Sequence, residues 1–148
     1  MNATRSQTLG TLEHEVGVVI RRVKRVIGER ARAVHEDLQP ASYLVLTYLE
    51  TTGACRSSAI AGAFDMDKGA ISRLVQHLDE LGLIERTPDP ADGRAALLSV
   101  TDDARRRMAD VQKHRRKYLD ERLADWSDED LRAFVDMLGR YNASLDPD

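Results

Sequence analysis

Cysteine occurs once in the 148 residues, at position 55, so neither an internal disulfide nor a tetrathiolate zinc site can form within one chain. A cytoplasmic, metal-free protein is the expectation that follows. Aromatic side chains are scarce, at 5%, so a core has to be built from Leu, Val, Ile and Ala, which suits packed helices better than a sandwich of sheets. Apolar runs are short. None approaches the roughly 20 residues that span a bilayer, and the opening MNATRSQTLG lacks the apolar stretch of a signal peptide. Cations are not in excess: 22 Lys and Arg stand against 25 Asp and Glu, a formal net charge of −3. That balance argues against a nucleic-acid partner until the placement of the cations is considered. There is no Gly-rich phosphate loop, no nucleophile elbow and no carboxylate pair suited to a cleft, so neither catalysis nor a cofactor is expected.

What is present is helical periodicity. Leu12, Val16, Val19, Ile20, Val23, Val26, Ile27, Val34 and Leu38 recur in steps of three and four, one stripe along a long first helix. Pro40 suits the first turn of a second helix, whose buried side is Leu44, Val45, Leu46, Tyr48 and Leu49 and whose stop is Gly53. Gln39, before that proline, is a poor cap and costs about 1 kcal/mol relative to Ser or Thr. Ser57 is placed to cap a short third helix over 57–64, and Asp67 a fourth over 67–81 that ends at Gly82. LIER and ALLSV then read as two short strands, and TPDPADGR between them, a segment dense in Pro, Asp and Gly, reads as a hairpin loop. Thr101 is an N-cap candidate for a long fifth helix bearing Ala104, Met108, Val111, Tyr118, Leu119 and Leu123. Ser127 opens a sixth, with Asp128, Glu129 and Asp130 at the positive end of its dipole. The expected fold is therefore mainly α with a small β-hairpin, four helices before it and two after, and no linker divides residues 1–148 into separate domains.

Two short helices joined by a tight turn and followed at once by a hairpin form a winged helix-turn-helix layout, in which the second helix enters the major groove of DNA. In that helix Ile71, Leu74, Val75 and Leu78 face one way, and Gly69, Ser72, Arg73 and Gln76 the other. Ser72 and Gln76 can exchange hydrogen bonds with base edges or phosphates, and Arg73 can pair with phosphate or guanine. Gly69 and Ala70 are small enough to let the helix N-terminus, itself a phosphate site, approach the backbone closely. Ser57, Asp67 and Lys68 complete the candidate contacts of the two helices. Arg86, leaving the first strand, is either a phosphate contact or half of a surface ion pair.

The run DKGAISRLVQHLDELGLIERTPDPADGRAALLSVT resembles the core of the multiple-antibiotic-resistance regulator (MarR) family in the order and spacing of its recognition helix, LDELGLIER, DPADGR and LSVT. LQPASYLVLTYLE before it and two long helices after extend the likeness over nearly the whole chain. The resemblance implies a winged helix-turn-helix lobe at about 38–101, with dimerisation helices at about 8–37 and 102–146 interlocking across a two-fold axis. The partners would be double-stranded DNA and a second copy of the chain. A pseudo-palindromic site with half-site centres about 34–36 Å apart follows if the lobes lie one DNA turn apart. It also implies that the wing residues Asp92 and Arg94 matter most to binding, Arg94 entering the minor groove and Asp92 orienting it. A narrow A·T-rich groove concentrates the negative potential that would draw such a guanidinium. The competing reading of Asp92-Gly93-Arg94 is plain turn chemistry, with Gly93 at positive φ.

Members of the family commonly bind small aromatic or phenolic anions where the dimerisation helices meet the lobe. The matching candidates for an effector site here are His14, Arg21, Tyr43, Tyr48 and Arg115. A thiol sensor at Cys55 and a winged-helix adaptor for protein are the alternative functions. Cys55 has no second cysteine to resolve it, and Arg73, Arg86 and Arg94 retain the cationic contacts an adaptor would lose. His14, His35, His77 and His114 share no metal-ligand spacing within one chain, and the basic run from Lys113 to Lys117 wraps around its helix as a solvated face.

Overall fold

Each helix begins and ends where local chemistry satisfies its orphaned backbone groups, and a computed structural model, which describes residues 2–146, shows how. Helix α1 (Ala3–Val34) starts with Asn2, whose side-chain oxygen accepts the Arg5 N–H at 2.7 Å. It stops before an extended His35. It therefore starts earlier than its apolar stripe and ends before Leu38, which is buried in the turn that follows. Helix α2 (Pro40–Thr52) has Pro40 in its first turn and no side-chain cap from Gln39, and Gly53 closes it at φ 87°. In α2 Val45, Leu46 and Leu49 are buried, while Leu44, expected among them, is exposed.

Helix α3 (Ser57–Ala63) corrects one expected cap. Arg56, not Ser57, occupies the N-cap, without a side-chain bond to the helix, and Ser57 is already the first helical residue. The chain then turns at Asp65, which adopts φ 49°, a left-handed conformation that Asp tolerates better than most side chains. The Met66 N–H donates to the Ala61 carbonyl at 3.0 Å across this turn. Helix α4 (Lys68–Glu80) follows, capped as expected by Asp67, whose carboxylate accepts the Ala70 N–H at 2.7 Å. Its inner face buries Ile71, Val75 and Leu78. Gly82, at φ 71°, turns the chain into the hairpin.

The wing differs most from expectation. Strand β1 (Ile84–Asp89) and strand β2 (Asp92–Val100) pair antiparallel and run through most of TPDPADGR, leaving only Pro90 and Ala91 between them. Ladder pairs Thr87–Leu97 and Pro88–Ala96 give this segment the pairing that its composition hides, and Pro88 is tolerated because a two-stranded ribbon has only edges. The register then breaks: Asp89 pairs with Asp92, so Gly93, Arg94 and Ala95 have no counterpart in β1. Gly93 does not take a positive φ, so the flexible-turn explanation of that glycine fails. At the ribbon's base Cys55 forms a backbone bridge to Leu98, the two residues exchanging N–H···O bonds of 3.1 and 2.8 Å.

Helix α5 (Asp102–Arg122) is started by Thr101. Its hydroxyl donates to the Gly82 carbonyl at 2.9 Å and accepts the Ala104 N–H at 3.2 Å, while its own N–H donates to the Leu83 carbonyl at 3.1 Å. One core runs from Ala31 and Val34 through Leu46, Ile60, Ile71 and Leu78 to Leu83, Leu98, Val100 and Ala104, all at most 2% exposed. It lies within the first of two compact units, residues 1–111. In that unit Arg107 donates to the Val34 carbonyl at 3.2 Å, closing the end of α1.

The second unit, residues 112–148, contains the end of α5 and helix α6 (Asp128–Leu145). Ser127 caps α6 by accepting the Asp130 N–H, and Trp126 meets Phe134 edge-on at 5.8 Å. No residue of α6 is buried: Phe134, Val135, Met137 and Leu138 are all exposed. Leu78→Ala is expected to lower unfolding free energy by about 2–5 kcal/mol, because a fully buried side chain leaves a cavity. Asp67→Ala is expected to cost about 1 kcal/mol through loss of one cap. Urea unfolding followed by helical circular dichroism measures both.

Candidate nucleic-acid interface

The burial of Ile71, Val75 and Leu78 turns Ser72, Arg73 and Gln76 outward, and all three are exposed. Lys68 and Gly69, in the first turn, are exposed beside them. Gly69 is more than small. A Cβ at that position would lie 3.3 Å from the Asp67 carboxylate and 3.4 Å from a guanidinium nitrogen of Arg73. Arg73 is thus folded back along the helix toward its N-terminus, and a side chain at position 69 would crowd both it and the cap. Lys68, Arg73 and Arg94 form no ion pair among the described residues, whereas Arg56, Arg86, Arg105, Arg106 and Arg107 each have a carboxylate partner. Gln76 donates to Glu80 at 3.2 Å, one helical turn on, a bond a ligand can exchange at little cost. Ser57 is exposed on the first turn of α3.

On the wing, Arg94 is exposed within the unpaired stretch of β2. Asp92 acts on it through the backbone, its carboxylate accepting the Arg94 N–H at 3.1 Å rather than pairing with the guanidinium. Arg86 takes the ion-pair option, lying 3.4 Å from Asp79 of α4 with both side chains about half exposed. Such a pair contributes little, about 0–1 kcal/mol.

One interaction has no precursor in the sequence reading. Asp89 receives both Nε and Nη2 of Arg56 on its Oδ2, each at 2.6 Å, while its Oδ1 accepts the Ala91 N–H at 2.9 Å. The Asp89 side chain is only 11% exposed. The Ala91 hydrogen bond, then the Arg56 guanidinium, hold its carboxyl below the usual carboxylate range. The stabilisation from this lowered group is present above the ordinary carboxylate pKa and is lost as pH falls through the depressed one, so the contact is intact at neutral pH.

The remaining candidates lie on several elements. His14 and Arg21 are exposed on α1, and Arg115 is exposed in the second unit. Tyr43 and Tyr48 are half-buried against the core, Tyr48 meeting Phe64 edge-on at 5.5 Å. Cys55 is half-buried, and burial pushes its thiol pKa up, away from the thiolate that oxidant sensing needs. Among the described residues no His, Cys, Asp or Glu cluster could hold a metal ion, and no helix is long and apolar enough to cross a membrane.

Comparison with known proteins agrees with this geometry. The MarR family model matches residues 36–95. The HTH-type transcriptional regulator YxaD of Bacillus subtilis is 32% identical over 135 residues, covering 90% of this chain and 92% of the relative. Among solved structures, a MarR family protein from Bacillus stearothermophilus superposes with a TM-score of 0.77 at 19% identity, over 98% of both chains. RV1404 of Mycobacterium tuberculosis does so with a TM-score of 0.78 at 20% identity, over 95% of this chain and 96% of that one. The two structures share the fold, the Bacillus subtilis relative adds similarity of sequence along most of the length, and the chain belongs to the MarR family of winged helix-turn-helix, DNA-binding transcription regulators.

Proposed function

We infer that the protein is a homodimeric, sequence-specific regulator of transcription, a repressor that a small-molecule effector releases from its operator. The observation that carries the reading is the outward face of α4, with Ser72, Arg73 and Gln76 exposed, together with an exposed, unpaired Arg94 on the wing. In this reading α4 lies in the major groove. Lys68 and the backbone around Gly69 meet phosphate at its N-terminus, under the Asp67 cap, and Ser57 meets phosphate from α3. Arg94 enters the adjacent minor groove, and Asp92 sets its backbone. Arg86 exchanges Asp79 for a phosphate oxygen, which costs little because the ion pair is half solvated. A net-acidic chain can bind this way because Lys68, Arg73 and Arg94, which form no ion pair among the described residues, lie on the face and wing that would meet the DNA.

Dimerisation is supported by the terminal helices. Leu12, Val19, Ile20 and Val23 of α1 and Phe134, Val135, Met137 and Leu138 of α6 are all at least 41% exposed. A second copy is the occupant that family membership supports for these faces, with residues 8–37 and 102–146 forming the interface and 38–101 the DNA-binding lobe. The operator is then pseudo-palindromic, and the cytoplasm is the compartment. The effector rests on family likeness: a small aromatic or phenolic anion, for which His14, Arg21, Tyr43, Tyr48 and Arg115 are the candidate contacts. Against a protein-binding adaptor stands the polar, cationic character of α4 and the wing; against a thiol sensor stands the raised pKa of Cys55.

A duplex selected by the protein from a random-sequence pool tests the reading in a mobility-shift titration. Wild-type affinity is expected to fall steeply with salt, and Arg94→Ala is expected to weaken binding and reduce the salt slope by about 1, because one fewer counterion is released. Binding insensitive both to salt and to Arg94→Ala would sink the reading. A separate measurement addresses assembly. Val19→Glu combined with Val135→Glu is expected to shift the sedimenting species from dimer to monomer, and an unchanged dimer would place the interface elsewhere.

A further inference from the structure

The geometry points to Arg56 and Asp89 as a positioning pair for DNA recognition: their contact fixes the outer wing against the helix-turn-helix, so that Arg94 is presented at a set height above α4. The proposal rests on the DNA-binding reading and adds to it two residues that touch no DNA. Its first support is the broken ladder. Beyond the Pro88–Ala96 pair the ribbon is joined only by Asp89 and Asp92, and Gly93, Arg94 and Ala95 have no cross-strand partner. A two-stranded ribbon is marginal by itself, and this one loses its pairing at the residue that matters most.

The second support is the way the gap is bridged. Arg56 places two donors on one oxygen of Asp89, and the other oxygen holds the Ala91 N–H at the turn. Asp89 pairs in turn with Asp92, whose carboxylate holds the Arg94 N–H. A series of contacts thus runs from the N-cap of α3 through the Asp89–Asp92 ladder pair to the backbone of Arg94. The third support is the identity of the anchor. Arg56 follows Cys55, which is bonded to Leu98 at the base of the wing, and it precedes α3, which packs against α4. Its backbone belongs to the frame that carries the recognition helix. Charge-assisted contacts with two donors on one carboxylate are directional as well as strong, as positioning requires.

The pair could instead be a phosphate contact, because the Arg56 side chain is 43% exposed. A double-mutant cycle with footprinting separates the two roles, using full-length protein and a duplex that the wild type selects from a random pool. Arg56→Ala and Asp89→Asn are each expected to weaken binding by about three- to tenfold, and the double variant no further than the worse single, because contacting residues are coupled. Hydroxyl-radical protection in the minor groove beneath the wing is expected to fade in both, while major-groove protection by α4 persists. Added to Arg94→Ala, neither substitution is expected to weaken binding further. Loss with Arg56→Ala but not with Asp89→Asn assigns Arg56 to phosphate and overturns the proposal. Equal fading of both footprints, the sign of a general loss of structure, also overturns it. Variants that bind and protect like wild type overturn it while leaving the DNA-binding reading intact, whereas a wild-type chain that selects no duplex removes both.

Discussion

Burial of Ile71, Val75 and Leu78 sets the roll of α4 about its own axis, and much of the interface follows from that one constraint. A helix advances about 100° per residue, so with those three side chains in the core the positions between them have no freedom of direction. Ser72, Arg73 and Gln76 must face outward, and the Asp67 carboxylate fixes where the helix starts. The same core fixes the wing at its root, because Leu83, Ile84, Leu98 and Val100 are buried with the α4 residues. Thr101 then ties the start of α5 to Gly82 and Leu83, so the two ends of the hairpin are closed by one side chain and one amide. Hydrophobic burial supplies the driving force; these few polar bonds decide the geometry in which it is spent.

The features that could be read from the sequence are those whose cause is local. Helix order, the Asp67 and Ser127 caps, the proline opening of α2 and the Gly53 stop each depend on residues within a turn of one another. The outer wing is illegible locally because Pro, Asp and Gly signal a loop from composition, while the strands that form there depend on pairing between Thr87 and Leu97 and between Pro88 and Ala96. The α3 N-cap falls one residue before Ser57, on Arg56, which has no helix-capping chemistry and whose side chain is engaged by Asp89, 33 positions away. No periodicity reveals a contact of that separation. The role of Gly69 was half legible: its smallness was evident, but not that Arg73 lies over it.

The chain divides its surface chemistry between two tasks. The helix-turn-helix and wing expose polar and cationic side chains around a closed core. α1 and α6 add exposed aliphatic side chains, and in α6 an aromatic one, beside well-formed caps. Helix formation there does not depend on burial within the same chain, since Asn2 and Ser127 satisfy the first turns and Asp128, Glu129 and Asp130 favour the α6 dipole. The apolar faces are thus available in ordered form, which lowers the conformational cost of covering them.

The two adjacent residues Cys55 and Arg56 hold the ribbon at two heights, one through the backbone at Leu98 and one through a side chain at Asp89. A strip pinned at a single point can still swing about it; pinned at two, it keeps only bending modes. In the proposed reading, the freedom that a loose wing would surrender on entering a groove is already given up during folding. If Arg94 binds DNA as proposed, its binding energy would then appear as affinity instead of being consumed in ordering the ribbon.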